Sequence, residues 1–347
     1  MKDFYVKDAA AFENKIVTTS FVVSAKQIKP KKSGDPYLAL TLCDRTGQID
    51  AKMWDNVADV ISEFDQDDFV KIRGLINKYN GRFQVTIYKL RRMGESEVDF
   101  ADYLPMCPRD IEELWRTLGS YVAGFQNAHL KALLEAFMND AEIAKAYKTA
   151  PAAKSLHHAY IGGLLDHVVS VLRLSDLTCQ NYPQVDKDLL MTGVFLHDIG
   201  KIHELSWARS FSYTTRGQLL GHMIIELEML QAKLKNLPDF PAELKNLIEH
   251  MIISHHGQYE FGSPKLPMFP EAMMLHYLDD LDSKMESMRA QFEREAGLAD
   301  AWTGYNPSMG RPLLNSHKYL TKTNDEKQES EPETGAVAAV AGDGDLL

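Results

Sequence analysis

Cysteine is scarce in this chain. Its 347 residues hold three, Cys43, Cys107 and Cys179, spaced too widely for a disulfide framework or a zinc knuckle. That usage fits a reducing compartment, so a cytoplasmic protein is expected. No run of about 18 apolar residues occurs, which leaves no candidate membrane span. The N-terminal stretch MKDFYVKDAAAFENK is charged and lacks the apolar core of a signal peptide. Also missing are a G-x-S-x-G elbow, a P-loop and a G-x-G-x-x-G turn, so covalent serine catalysis, ATP-driven work and dinucleotide binding have no sequence support. No repeat at solenoid spacing is visible. The formal net charge of −11 argues against a protein that simply coats nucleic acid, although the charge is uneven. Residues 1–95 carry 16 Lys and Arg against 13 Asp and Glu, while residues 322–347 carry 2 Lys against 7 Asp and Glu.

What the chain does have is histidine and aspartate inside apolar helical segments. His197-Asp198 ends the run GVFLHDIGK. His167 lies in GGLLDHVVSVLRLSDL, His222 in LLGHMIIELEML, His255-His256 at the end of LIEHMIISHH, and Asp279 in MLHYLDDLDSKM. Burying so many ionisable groups without partners is expensive. One shared metal would partner all of them, and imidazole with carboxylate suits Mn, Fe, Co, Ni or Zn. A carboxylate can bridge two such ions, and paired ions are a common device for cleaving phosphate esters with an activated water.

The N-terminal part reads differently. Residues 15–25, Tyr37–Leu42, Gln48–Trp54, Asp68–Leu75 and Phe83–Leu90 have strand character, with turns at Asp44-Arg45-Thr46-Gly47 and Tyr79-Asn80-Gly81-Arg82. A short helical piece is expected over residues 56–64. Five strands in this order fit an OB-fold barrel. Such barrels bind single strands through basic and aromatic residues on one face. The basic loop here offers Lys26, Lys29, Lys31 and Lys32 beside Tyr37, and Trp54, Tyr79 and Phe83 are candidates for base stacking, with Arg91-Arg92 closing the last strand.

The predicted architecture is multidomain: a five-stranded OB-fold β-barrel (1–95), a linker and connecting helices (96–150), an all-α domain carrying the histidines (151–320) and a disordered acidic tail (321–347). Within the third part, His157 and His158 precede the His167 helix and are candidates to face substrate phosphates, with Gly162-Gly163 letting the backbone approach closely. Arg216 is a further phosphate candidate. The stretch GQYEFGSPKLPMFPE after His256 is expected at the rim of the site.

The order H…HD…H…H…D over residues 150–290 resembles the HD-domain metal-dependent phosphohydrolases. Carried over by position, the resemblance implies a first metal on His167, His197, Asp198 and Asp279, with Asp198 bridging to a second on His222 and His255. His256 could take the place of His255 or donate to the substrate phosphate, and Asp280 could take the place of Asp279. Lys201 looks like the lysine of the HDxGK motif, whose ammonium would stabilise charge on a phosphoryl oxygen. The whole arrangement, an OB-fold, then a linker, then an HD domain with HHAYIGGLLDH, resembles the YhaM-type bacterial 3′→5′ exoribonucleases. That resemblance implies degradation of single-stranded RNA, and in some members DNA, from the 3′ end with Mn²⁺ or a similar divalent ion such as Co, Fe, Ni, Zn or Mg. Two rival functions remain open on sequence alone: a nucleotide or cyclic-dinucleotide phosphohydrolase, and a non-catalytic nucleic-acid-binding regulator.

Overall fold

The computed structural model describes residues 2–31, 33–79, 81–99, 102–154, 158–208, 210–298 and 300–321. The expected acidic tail, from residue 322 onward, lies outside them. Compact packing divides the chain into two units, Met1–Ser287 and Met288–Leu347.

The first unit opens with strands β1 (Ile16–Pro30), β2 (Pro36–Asp44), β3 (Gly47–Met53), β4 (Phe69–Tyr79) and β5 (Arg82–Arg92), closed into a barrel in the order β1-β2-β3-β5-β4. Alternation decides which face is inside: Val17, Thr19, Phe21 and Val23 of β1 point inward, as do Leu38, Leu40 and Leu42 of β2. Closure comes from β1 pairing with β4 and from a parallel β3–β5 register beginning at Asp50 opposite Gln84. Gly74 sits at the β4 bulge, where a Cβ would come within 2.7 Å of the Thr86 carbonyl oxygen, so no larger residue fits.

One expected element is absent. Residues 58–63 form successive turns instead of a helix. Val57 and Phe64 are both buried in the barrel core and pin the ends of a segment too short to repay helix nucleation. The expected linker is not loose either. Tyr103 is buried against Val22 and Phe69, its hydroxyl 2.7 Å from Ser20 Oγ. A few residues on, Cys107 N–H donates to the Ile161 carbonyl at 2.9 Å, and Ile161 N–H donates to Pro105. The segment is thus tied to the barrel at one end and to the helical part at the other.

The helical part comprises α1 (Ile111–Ala123), α2 (Ala128–Met138), α3 (Ala141–Thr149), α4 (Gly163–Asn181), α5 (Lys187–Leu196), α6 (Lys201–Glu204), α7 (Thr215–Leu234), α8 (Ala242–Ser254) and α9 (Pro270–Arg294). Asp110, Asn127, Asp140, Asp186 and Thr214 cap the helices that follow them, each accepting from a backbone N–H in the first turn. Helices α1–α3, expected as connectors, share one apolar core with α4, α5, α8 and α9: Leu118, Leu133 and Phe137 pack in the same cluster as Val168, Phe195 and Met251. The part expected to be all-α also holds a short antiparallel pair, β6 (Leu205–Ser206) with β7 (Ser212–Tyr213). In the second unit, the end of α9 is followed by the hairpin β8 (Trp302–Asn306) and β9 (Arg311–Leu314), and Asn306 Nδ2 donates to Gln291 Oε1.

Candidate metal centre

The histidines and Asp198 stand where helices begin, break or end, whereas Asp279 and Asp282 lie inside α9. His167 lies in the first turns of α4, and His197-Asp198 directly follow α5. His222 comes after Gly221, whose φ of 71° and ψ of 163° break α7. His255-His256 follow α8, while Asp279 and Asp282 lie one turn apart on α9. Gly200 lets the turn after Asp198 lie against α7, because a Cβ there would run into the His222 backbone and come within 2.8 Å of Glu226 Cγ.

These elements bring one cluster together. His167 Nε2 is 3.3 Å from His197 Nε2 and 3.2 Å from Asp279 Oδ1. Asp198 turns one oxygen to each side: Oδ2 is 3.5 Å from His197 Nε2 and 3.8 Å from His167 Nε2, while Oδ1 is 3.9 Å from His222 Nε2. The His222 ring lies 5.5 Å from that of His255 and 5.2 Å from that of His256. Asp279 faces this cluster, whereas Asp280 pairs with Lys284 at 2.6 Å on the exposed side. Both His255 and His256 reach the His222 side, so the alternatives left open for that pair both lie within ligand distance.

The second ring nitrogens explain the orientation. Nδ1 of His197, His255 and His256 donates to the carbonyls of Val194 (2.9 Å), Ile252 (2.7 Å) and Phe261 (2.8 Å). A carbonyl only accepts, so Nδ1 carries the proton and Nε2 presents a lone pair. Nδ1 of His167 meets Asp282 Oδ2 at 2.8 Å, and Nδ1 of His222 meets Glu204 Oε1 at 3.1 Å. Carboxylates and carbonyls behind imidazoles in this way fix ring and tautomer for metal ligation. The result is a buried set of lone pairs pointed at one another, which a cation relieves. Among the described residues, His222 Nε2, His255 Nε2 and Glu226 Oε2 have no hydrogen-bond partner although buried, so the donor set fits divalent ions.

Without a metal the charges settle on protons. Burial disfavours the His167 cation, but hydrogen bonds to Asp279 and Asp282 raise its pKa to about 10. Burial likewise opposes charge on Asp198, yet Lys201, His197 and His222 hold it well below the usual carboxylate range. Burial pushes His255 well below its ordinary value. Burial, and then the charge of Asp198, push Glu226 well above its own. Lys201 Nζ is 2.7 Å from Asp198 Oδ2, at the cluster as expected, with its charge already partnered.

Several expected substrate contacts are elsewhere. His158 is buried, Nδ1 2.7 Å from the Tyr160 hydroxyl and Nε2 3.0 Å from Asp282 Oδ2, which puts it behind His167 and not on a face open to phosphate. The close backbone approach at Gly163 is to the chain's own His158 carbonyl. Arg216 is paired with Glu228. His157 and Lys32 lie outside the described residues. Sequence reasoning missed Asp282, Glu204 and Glu226. The spacing of Asp282 three residues after Asp279, and of Glu226 four after His222, was the available signal.

On the barrel, Tyr37 and Trp54 stack at 4.5 Å with an interplanar angle of 25°. Lys52 Nζ lies 5.0 Å from the exposed Tyr79 ring and 5.7 Å from Trp54. Lys29 is exposed and Lys31 pairs with Asp55 at 3.3 Å. Lys26 turns inward to the Ile61 carbonyl, and Arg91 and Arg92 pair with Glu97 and Asp68. Phe83 packs on the barrel core.

Comparison with known proteins defines the class first. Residues 17–92 match the OB-fold nucleic acid binding domain and residues 164–284 match the HD domain. Over 275 residues the chain is 37% identical to the 3′-5′ exoribonuclease YhaM of Bacillus velezensis, covering 79% of this chain and 87% of that protein. It is 38% identical to YhaM of Bacillus subtilis over 76% of this chain and 83% of that one. The chain belongs to the YhaM family of 3′→5′ exoribonucleases. Among solved structures, the second OB-fold domain of replication protein A from Methanococcus maripaludis aligns at a TM-score of 0.22 and 21% identity, over 26% of this chain and 97% of that one. No described helix is long and apolar enough to cross a membrane.

Proposed function

We propose that the chain is a cytoplasmic, metal-dependent exoribonuclease that removes mononucleotides from the 3′ end of single-stranded RNA, with single-stranded DNA as a secondary substrate and Mn²⁺ as the first-choice ion. One observation carries the reading: five histidines whose Nδ1 atoms are tied down behind them gather with the buried Asp198 and the half-buried Asp279 in overlapping groups able to hold a metal ion. His167, His197, Asp198 and Asp279 would hold one ion, and Asp198, His222 and His255 a second. Bound divalent ions supply a water of lowered pKa and positive charge for the phosphate oxygens.

The chain's own residues do the rest. Asp198, with one oxygen toward each half, is the group that can serve both ions. Lys201 is held beside it and can shift its hydrogen bond to an arriving phosphoryl oxygen. His256 presents Nε2 as a proton acceptor at the more open side of the cluster. Hydrolysis adds one water across the terminal P–O3′ bond: the departing nucleotide keeps the phosphate, and the new strand end takes a proton on its 3′ oxygen. The stacked Tyr37–Trp54 pair with Lys29, Lys31 and Lys52 supports strand holding by the barrel.

Strand labelling tests the direction. With Mn²⁺, a 5′-labelled strand should give a ladder that shortens with time, and a 3′-labelled strand should lose its label at once as a mononucleotide. A rate unchanged by blocking the 3′ end, or equal cutting of circular RNA, would exclude a 3′ exonuclease. Faster turnover of a cyclic dinucleotide than of RNA would favour the rival phosphohydrolase.

A further inference from the structure

Glu226 has no part in the ligand set carried by the HD motif, yet it is the more unusual carboxylate. It is 1% exposed and lies one helical turn after His222 on α7. Oε1 accepts from Gly200 N–H at 3.2 Å, in the turn that directly follows Asp198. Oε2 has no hydrogen-bond partner among the described residues, although it is buried. Leaving such an oxygen unpaired in the interior is costly, so a native partner is expected. The direction in which it points is informative. One oxygen or nitrogen from each of Asp198, His222 and Glu226 lie within 4.8 Å of one another, and His222 Nε2 is itself buried and unpartnered. Two buried side-chain atoms without a hydrogen-bond partner among the described residues, His222 Nε2 and Glu226 Oε2, thus belong to the same group as the Asp198 carboxylate on the His222 side. No lysine or arginine other than Lys201 comes near Asp198 among the described ion pairs, and Lys201 bonds Oδ2, the oxygen on the other side.

We propose that Glu226 is a further ligand of the ion on the His222 side, completing a set of Asp198, His222, His255 and Glu226 around it. This rests on the metal-dependent reading above. Imidazole and carboxylate oxygens in that ratio suit Mn²⁺ or Fe²⁺ better than a nitrogen-only set would. The Gly200 N–H holds one carboxylate oxygen so that the other stays aimed at the ion, the same division of labour that Asp282 and Glu204 perform for the imidazoles. The HD turn and Glu226 are thereby coupled: the backbone after one proposed bridging ligand orients another.

The experiment is metal stoichiometry and affinity in the full-length protein, stripped with chelator and dialysed against Mn²⁺, for wild type, Glu226→Gln and Glu226→Asp. Wild type should take up two ions per chain. E226Q should keep one at unchanged affinity and bind the other at least about tenfold more weakly, with the melting temperature of the metal-free protein unchanged. E226D, which retains the charge, should recover part of that loss. Should E226Q not fold, Glu226→Ala with added formate replaces it, and formate should restore the second ion. Equal affinities in wild type and E226Q, equal losses in E226Q and E226D, or no rescue by formate would overturn the assignment. A wild-type protein that binds no ion would instead overturn the metal-dependent reading itself.

Discussion

Asp282→Asn should weaken metal binding without touching a metal ligand. Asp282 Oδ2 accepts from His167 Nδ1 at 2.8 Å and meets His158 Nε2 at 3.0 Å, while Oδ1 accepts from Ser170. Burial opposes its charge, but the hydrogen bonds to His158 and His167 hold the carboxyl below its ordinary range. Asparagine has the same shape, but its one acceptor oxygen is neutral and an NH2 group replaces the other oxygen. His167 then loses a charge-assisted hydrogen bond, typically ~1.5–3 kcal/mol. Its ring is free to turn or to change tautomer, which takes the Nε2 lone pair out of the cluster. At ~1.4 kcal/mol per decade that loss is roughly 10- to 150-fold, in the range of about 10–100-fold found for outer-shell partners of metal-bound histidine. Competition against a chelating dye gives the Mn²⁺ affinity, and the melting temperature of the metal-free variant checks the fold. A folded D282N protein whose Mn²⁺ affinity stays within about threefold of wild type would refute the role given to this carboxylate.

Asp198→Ala should abolish hydrolysis and lower metal content while leaving RNA affinity largely intact, which metal analysis and a gel-shift assay would read together. Trp54→Ala should weaken binding of single-stranded RNA by ~1–3 kcal/mol, the value of one stacked base. It should leave turnover of a small phosphodiester unchanged, so an equal loss on both substrates would contradict separate roles for barrel and cluster. Phe195→Ala removes a buried ring stacked on Tyr147 at 5.4 Å and tilted against Phe137 at 6.2 Å, and should cost ~3–5 kcal/mol in a denaturant titration. Arg216→Gln, which breaks only an exposed pair with Glu228, should change the rate less than about fivefold.

The proposed ligands were legible in the sequence because they interrupt apolar helical stripes. A histidine between Leu165 and Val168, or after Phe195-Leu196, has no reason to be there except chemistry. The barrel was legible from strand order and turns. The other carboxylates of the site were not: Asp282 follows Asp279 and Asp280, Glu204 follows Lys201 and His203, and Glu226 with Glu228 reads as the polar side of an amphipathic helix. Only the packing of α9, α6 and α7 around the cluster buries them. His158 was misread for the same reason in reverse: adjacency to His157 and to a glycine pair suggested an open substrate edge, while Asp282, more than a hundred residues away, draws it inside. The segment 56–64 failed because its helical composition was outweighed by two buried anchors, Val57 and Phe64. The anchoring of the linker was not legible, because Tyr103, in an acidic and proline-bearing stretch, packs on the barrel at a place that no local pattern announces.

Anomalous diffraction from crystals of the full chain grown with Mn²⁺ tests the central claim most directly. Two peaks are expected, one among His167, His197, Asp198 and Asp279, the other beside His222 and His255, with Asp198 between them. No peak at these residues in a preparation that degrades RNA with Mn²⁺, or a peak bound only elsewhere on the chain, would contradict it.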